Sequence, residues 1–259
     1  MARRNFLLKL AYDGTDYQGW QRLGESTGRA DRGTARNRSV QAEVQSALAK
    51  ALGLPAIELV GAGRTDAGVH AEGQAASFHA FTALEPGEIA ESLNASFPPD
   101  LACLSCAEVD GRFHARLHAR AKVYRYRLLA SRVPDPFLRR YSLHVPERLD
   151  LGAMGDAAAA LAGERDFRAL SNAKGEDTVR RLDSARVEAS GRIVDLIFEG
   201  PGFIYNQARV MAALLLEVGL GRTAPDRVPA ILEGRDRSAA PGALGPFGLC
   251  LVDVRYDRF

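Results

Sequence analysis

Asp66 is the residue in this chain best equipped for chemistry. It lies in GAGRTDAGVHA, Gly61 to Ala71, where three glycines and three alanines surround Arg64-Thr65-Asp66. Residues this small let backbone and ligand come close to a carboxylate that has a guanidinium beside it. Such a carboxylate can attack a sugar's anomeric carbon, or an enone-like base, without any cofactor. The plainer alternative is a structural Arg-Asp turn.

Other chemistries lack their signatures. A dinucleotide fold needs a third glycine where Asp66 stands, and a carboxylate there repels a pyrophosphate. There is no GxxxxGK[ST] run and no GxSxG elbow. Three cysteines, Cys103, Cys106 and Cys250, do not make a disulfide framework. Cys103 and Cys106 form a CxxC, but on a strand a spacing of three places the thiols on opposite faces. His114 and His118 are spaced as a helical metal pair without an acidic third ligand, so no metal is expected. A metal-dependent hydrolase built on those histidines would need metal-sensitive activity.

The positive charge points to a partner. Only four residues, Lys9, Lys50, Lys122 and Lys174, are lysines, so arginine supplies nearly all of it. Arginine grips phosphate bidentately and stacks on bases. From Arg112 to Arg140 there are nine basic residues and one acid, Asp135, interleaved with Phe113, Tyr124, Tyr126 and Phe137. That mixture fits a surface that follows a phosphate backbone and offers stacking platforms, as RNA requires. Net charge is only +2, so the distribution carries this reading.

The elements that must position these residues follow from periodicity. Phe6 to Tyr12 alternates as an opening strand, and DGTDYQGWQR follows as a turn-rich loop. Leu23 to Arg38 is a basic loop with little to bury. Ser39 caps a helix with Val40, Val44, Ala47, Leu48, Ala51 and Leu52 on one face, and Gly53 stops it. Ile57 to Val60 reads as a buried strand leading into the Asp66 loop, and Gly73 to Phe81 as a strand leaving it. Ile89 to Ala95 is a short helix, and Leu101 to Val109 a strand. Lys122 to Ala130 alternates an aromatic face, Tyr124 and Tyr126, with a partly basic one. A helix lies between Asp150 and Gly163, and a hairpin joins Leu182–Ser190 to Ile193–Phe198. A long helix opens at Phe203, with Val210, Met211, Leu214, Leu215 and Val218 inward. A short helix from Asp226 to Gly234 and a strand from Leu249 to Tyr256 complete the chain.

This order predicts an α+β fold in two halves, 1–112 and 113–259. The 259 residues include 46% hydrophobic ones, enough for a proper core. No signal peptide and no apolar run of membrane-spanning length is evident, which predicts a cytoplasmic protein without a membrane partner.

Six ordered motifs carry a resemblance. YDGTDYQGWQR, GRTDAGVHA, FHAR, KVYRYRL, FIYNQARV and GLCLVDVRY, between residues 6 and 256, resemble a tRNA-modifying branch of the bacterial pseudouridine synthase superfamily. The resemblance implies two ferredoxin-like halves sharing a central, mostly antiparallel sheet with an active-site cleft between them. It further implies a homodimer, no cofactor and no metal, and a tRNA anticodon stem-loop as partner, with uridines 38, 39 and 40 as substrates. Residue by residue, Asp66 matches the catalytic aspartate, acting as nucleophile at C1′ or as base at C2′. Arg209 matches the arginine paired with it. Tyr124 matches the aromatic that stacks on the target base, and Arg64 the residue that helps extrude the nucleotide. The alternative is a tRNA-binding module of the same fold without catalysis. Two departures stand out: Gly24 to Ser39 is an arginine-rich insertion, and Gln207 and Ala212 occupy places where the family commonly has methionine and glycine.

Overall fold

The computed structural model describes residues 2–21, 38–175 and 177–257. The chain is α+β, built on a large and mostly antiparallel sheet, as expected. By contact it divides into Met1–Arg120 with Leu251–Phe259, and Ala121–Cys250. The end of the chain thus packs with the first unit. Residues 22–37 lie outside the described residues, and with them all of the expected basic loop except Arg38 and most of the expected Gly24 to Ser39 insertion.

In the first unit, strand β1 (Arg4–Tyr12) sits between β3 (His70–Ala80) and β4 (Leu101–Val109), antiparallel to both. The closing strand β11 (Leu249–Tyr256) lies on the other side of β3. Phe6, Leu8 and Leu10 of β1 are fully buried, each worth about 1.5–3 kcal/mol on removal from water. Helix α1 (Val40–Leu52) starts where Ser39 Oγ accepts the Ala42 N–H and ends at Gly53 in the left-handed region, φ 63°. Helix α2 (Pro86–Ser96) begins earlier than the apolar pattern shows, because Glu85 and Glu88 form a capping box and Pro86 suits the first turn.

Two expectations are corrected here. Ile57 to Val60 is not a buried strand: only β2 (Val60–Gly61) pairs, with Ser77 and Ala76 of β3. The carbonyls of Ile57 and Leu59 are taken instead by the Gln45 and Gln41 side chains of α1, so this backbone is satisfied without a strand neighbour. The CxxC thiols do not lie on opposite faces either. Cys103 pairs with Leu10 and Cys106 with Leu8, two residues of β1 that share a face. A bulge around Leu104 inserts one residue and restores the parity that a spacing of three would break.

In the second unit, β5 (Ala119–Ala130), β10 (Ile193–Gly200) and β9 (Ser184–Ser190) run antiparallel in that order, and β6 (Leu143–Val145) pairs parallel with β5. The predicted hairpin is the β9–β10 pair, turning at Gly191 with φ 59°. A two-stranded ribbon, β7 (Gly163–Asp166) with β8 (Val179–Leu182), carries no alternating pattern and was not legible. Helix α3 (Leu151–Leu161) packs on α4 (Gln207–Gly219) and on α5 (Arg227–Gly234). The α4 helix does not open at Phe203. Asn206 holds a left-handed backbone, φ 60°, which places Phe203 to Tyr205 outside the helix and starts it at Gln207.

Candidate active site

The Asp66 loop is strung between β2 and β3 and held from below by the segment that follows β1. At its start, Ala62 N–H donates to Ala75 O, and the fully buried Gln74 donates from Nε2 to Gly63 O at 3.0 Å. At its end, Val69 N–H donates to Asp66 O, closing a turn through Gly68, whose φ is 78°. Asp66 is therefore displayed on a closed turn.

Thr65 is the anchor. It is 6% exposed; its carbonyl accepts the Trp20 N–H at 3.1 Å and its Oγ1 lies 2.9 Å from the Tyr12 hydroxyl. Gly19 approaches so closely that a Cβ there would come 2.4 Å from Thr65 O, and its φ of 95° needs glycine besides. Gly68 N–H donates to Tyr17 O. His70, also buried, accepts the Gly14 N–H at Nδ1, 3.1 Å from Asp13 Oδ1. The DGTDYQGW segment is thus a collar around the loop.

The collar is tied to α1 and β4. Tyr17 donates its hydroxyl proton to Asp100 Oδ1 at 2.7 Å and accepts from Arg38 Nη2 at 2.8 Å, with that guanidinium over its ring. Burial first, and then the Asp100 carboxylate, push the Tyr17 phenol well above its ordinary pKa. Arg38 also bonds Asp100, the residue before β4, and Glu43 of α1, so one guanidinium ties the collar to both.

Of the predicted site residues, Arg64 and Asp66 lie in the first unit, Arg64 exposed and Asp66 half-buried. Tyr124 and Arg209 lie in the second. Tyr124, on β5, is 7% exposed, with the Phe203 ring edge-on at a centroid distance of 4.9 Å. Tyr126, two residues on, is wholly buried, and its hydroxyl donates to Gly245 O at 2.9 Å. Tyr126 is thus the more deeply buried of the pair, and that burial raises its phenol pKa. Arg209 on α4 donates from Nε to Leu244 O at 2.7 Å and from Nη1 to Asn206 Oδ1 at 3.0 Å. FIYNQARV therefore supplies the ring beside Tyr124, the arginine, and the asparagine that orients it. Gln207 is buried, and its Oε1 accepts the Ile204 N–H at 3.0 Å.

His114 and His118 lie in a loop, not on a helix. The His118 ring accepts the His114 N–H, and the His114 ring accepts from Arg116 and Leu117. Among the described residues, no group of three or more His, Cys, Asp or Glu could hold a metal ion. Nor is any helix among them long and apolar enough to cross a membrane.

The contacts make Thr65, His70 and Gln74 part of the loop's framework and Tyr17 and Trp20 part of the packing around it. Sequence reasoning missed Tyr12 and the Arg38–Asp100 tie. The tyrosine preceding Asp13-Gly14 at the strand end was the only local signal for the former.

The α+β chain carries, in order, the motifs on which its resemblance to the pseudouridine synthases rests, the glycine-framed Asp66 loop among them. A family model described as tRNA pseudouridine synthase matches residues 157–257. A tRNA pseudouridine synthase A of Bacillus sp. (strain KSM-64) is 37% identical over 254 residues, covering 97% of this chain and 99% of the relative. Proteins of the same name from Moorella thermoacetica and Acetivibrio thermocellus are 40% and 36% identical, over 96% and 98% of this chain and 98% and 100% of theirs. The chain belongs to the tRNA pseudouridine synthase A family.

Proposed function

We propose that this chain isomerises uridine to pseudouridine at positions 38, 39 and 40 of the tRNA anticodon stem-loop. One observation carries the reading: close to full-length similarity to proteins named tRNA pseudouridine synthase A. The GRTDAGVHA loop, KVYRYRL and FIYNQARV are all present within that similarity.

The reaction breaks the N1–C1′ bond, turns the uracil and joins C5 to C1′; the C5 proton leaves to solvent and N1 regains one. Asp66 is the reacting carboxylate, as nucleophile at C1′ or as base at C2′, and either role requires it ionised. Arg209 is the arginine that the resemblance pairs with it, and its guanidinium is held in a fixed geometry by Leu244 O and Asn206 Oδ1. Tyr124 stacks on the target base and assists loss of the C5 proton. Arg64 assists extrusion of the nucleotide, which must leave its stack before C1′ can be reached. The reaction is an isomerisation with no net change of oxidation state, so it needs no redox cofactor; the enzyme works without a cofactor, as a homodimer in the cytoplasm.

The test uses three anticodon stem-loop RNAs, each with one C5-tritiated uridine, at 38, 39 or 40. Purified protein with EDTA should release tritium from all three, and light scattering should give a dimer mass. No release from any of them would refute the reading.

A further inference from the structure

Tyr12 ends β1 opposite Ala71, where the Asp66 loop enters β3, and opposite Leu101 of β4. It is 4% exposed, with its ring against Tyr17 and Trp20 at centroid distances of 6.4 and 6.5 Å. A phenylalanine would bury the same ring without a hydroxyl to desolvate. A buried hydroxyl stabilises a fold only where it is paired, and this one is paired with Thr65 Oγ1 at 2.9 Å.

That pairing fixes the side chain of the residue immediately before Asp66. The Trp20 N–H fixes the carbonyl of the same residue at 3.1 Å. Thr65 is thus held by its side chain from β1 and by its backbone from the collar. The Thr65–Asp66 peptide, whose orientation aims the Asp66 side chain, inherits both constraints.

We propose that Tyr12 is a positioning residue for the reaction, aiming Asp66 through Thr65. The inference rests on Asp66 being the reacting carboxylate. Its consequence lies in the chemical step, because a reacting group displaced by a fraction of an ångström loses rate while remote binding contacts persist.

The experiment measures single-turnover tritium release and tRNA affinity for Tyr12→Phe, Thr65→Val, Thr65→Ser and the Tyr12→Phe/Thr65→Val double variant, beside Asp66→Asn. Tyr12→Phe and Thr65→Val should each slow the chemical step by about 10- to 100-fold, with Kd within about twofold of the parent. Thr65→Ser, which keeps the hydroxyl, should recover most of the rate. The double variant should be no slower than the slower single one, since both remove one bond. If Tyr12→Phe melts below the assay temperature, Thr65→Val against Thr65→Ser reads the same bond from its other end. Wild-type rates in the hydroxyl-deleted variants with Asp66→Asn inactive would overturn this inference alone, as would multiplying effects or a loss confined to Kd. Retained activity in Asp66→Asn would instead overturn the reading beneath it.

Discussion

The indole of Trp20 lies flush against Gly61: a Cβ at Gly61 would sit 2.5 Å from Trp20 Nε1 and Cε2. The ring therefore occupies the space in which a side chain would stand at the entrance to the Asp66 loop. Gly61→Ala must displace the indole or the loop, and overpacking of this kind costs about 1–3 kcal/mol. Gly87, in α2, has nothing within 4 Å of a built Cβ, so Gly87→Ala should stabilise by about 0.5–1 kcal/mol. Urea unfolding of the two variants should give opposite signs, and Gly61→Ala should also lose activity.

The bulge in β4 predicts the behaviour of two thiols. Burial raises Cys103 to about 11; burial, and then the neighbouring Cys103, raise Cys106 to about 12, from an ordinary value of 9.0. At pH 8 both should alkylate slowly with iodoacetamide in the native protein, while all three cysteines react once unfolded; mass spectrometry gives the count. The sign of the pH dependence follows. Above about pH 9 the unfolded chain binds fewer protons at these thiols than the folded chain, so stability falls as pH rises through 11 and 12. Below pH 9 their contribution is complete. Chemical melts of Cys103→Ala/Cys106→Ala against the parent, between pH 7 and 11, should show a shallower alkaline loss in the variant.

Arg209 uses two nitrogens in a fixed fork, Nε on Leu244 O and Nη1 on Asn206 Oδ1. A lysine keeps the charge but cannot reproduce that geometry. Arg209→Lys should lower the single-turnover rate by about 10- to 100-fold while leaving tRNA affinity within about twofold, as measured by tritium release and filter binding.

The reach of sequence reasoning can be judged from these same residues. The α1 helix was legible because Ser39, the apolar spacing and Gly53 all signal locally. So was Asp66, through the small residues framing it. The Tyr12–Thr65 contact was not, because it joins residues 53 apart and depends on the register of β1 against β3. The Cys103–Cys106 geometry failed for a related reason: a bulge changes face parity without changing composition. Gln41 and Gln45 explain the misread Ile57 to Val60 run, since side chains satisfied carbonyls that a strand partner was expected to take. The start of α4 moved because Asn206 adopts a left-handed conformation that spacing does not reveal.

Asp66→Asn tests the central claim most directly, because it keeps the size of the side chain and removes both its nucleophilic and its basic character. Single-turnover release of C5 tritium from an anticodon stem-loop should fall by at least about 10³-fold. RNA affinity should stay within about twofold, since phosphate contacts supply most of it. Release at the parent rate would contradict the assignment of Asp66 as the reacting carboxylate.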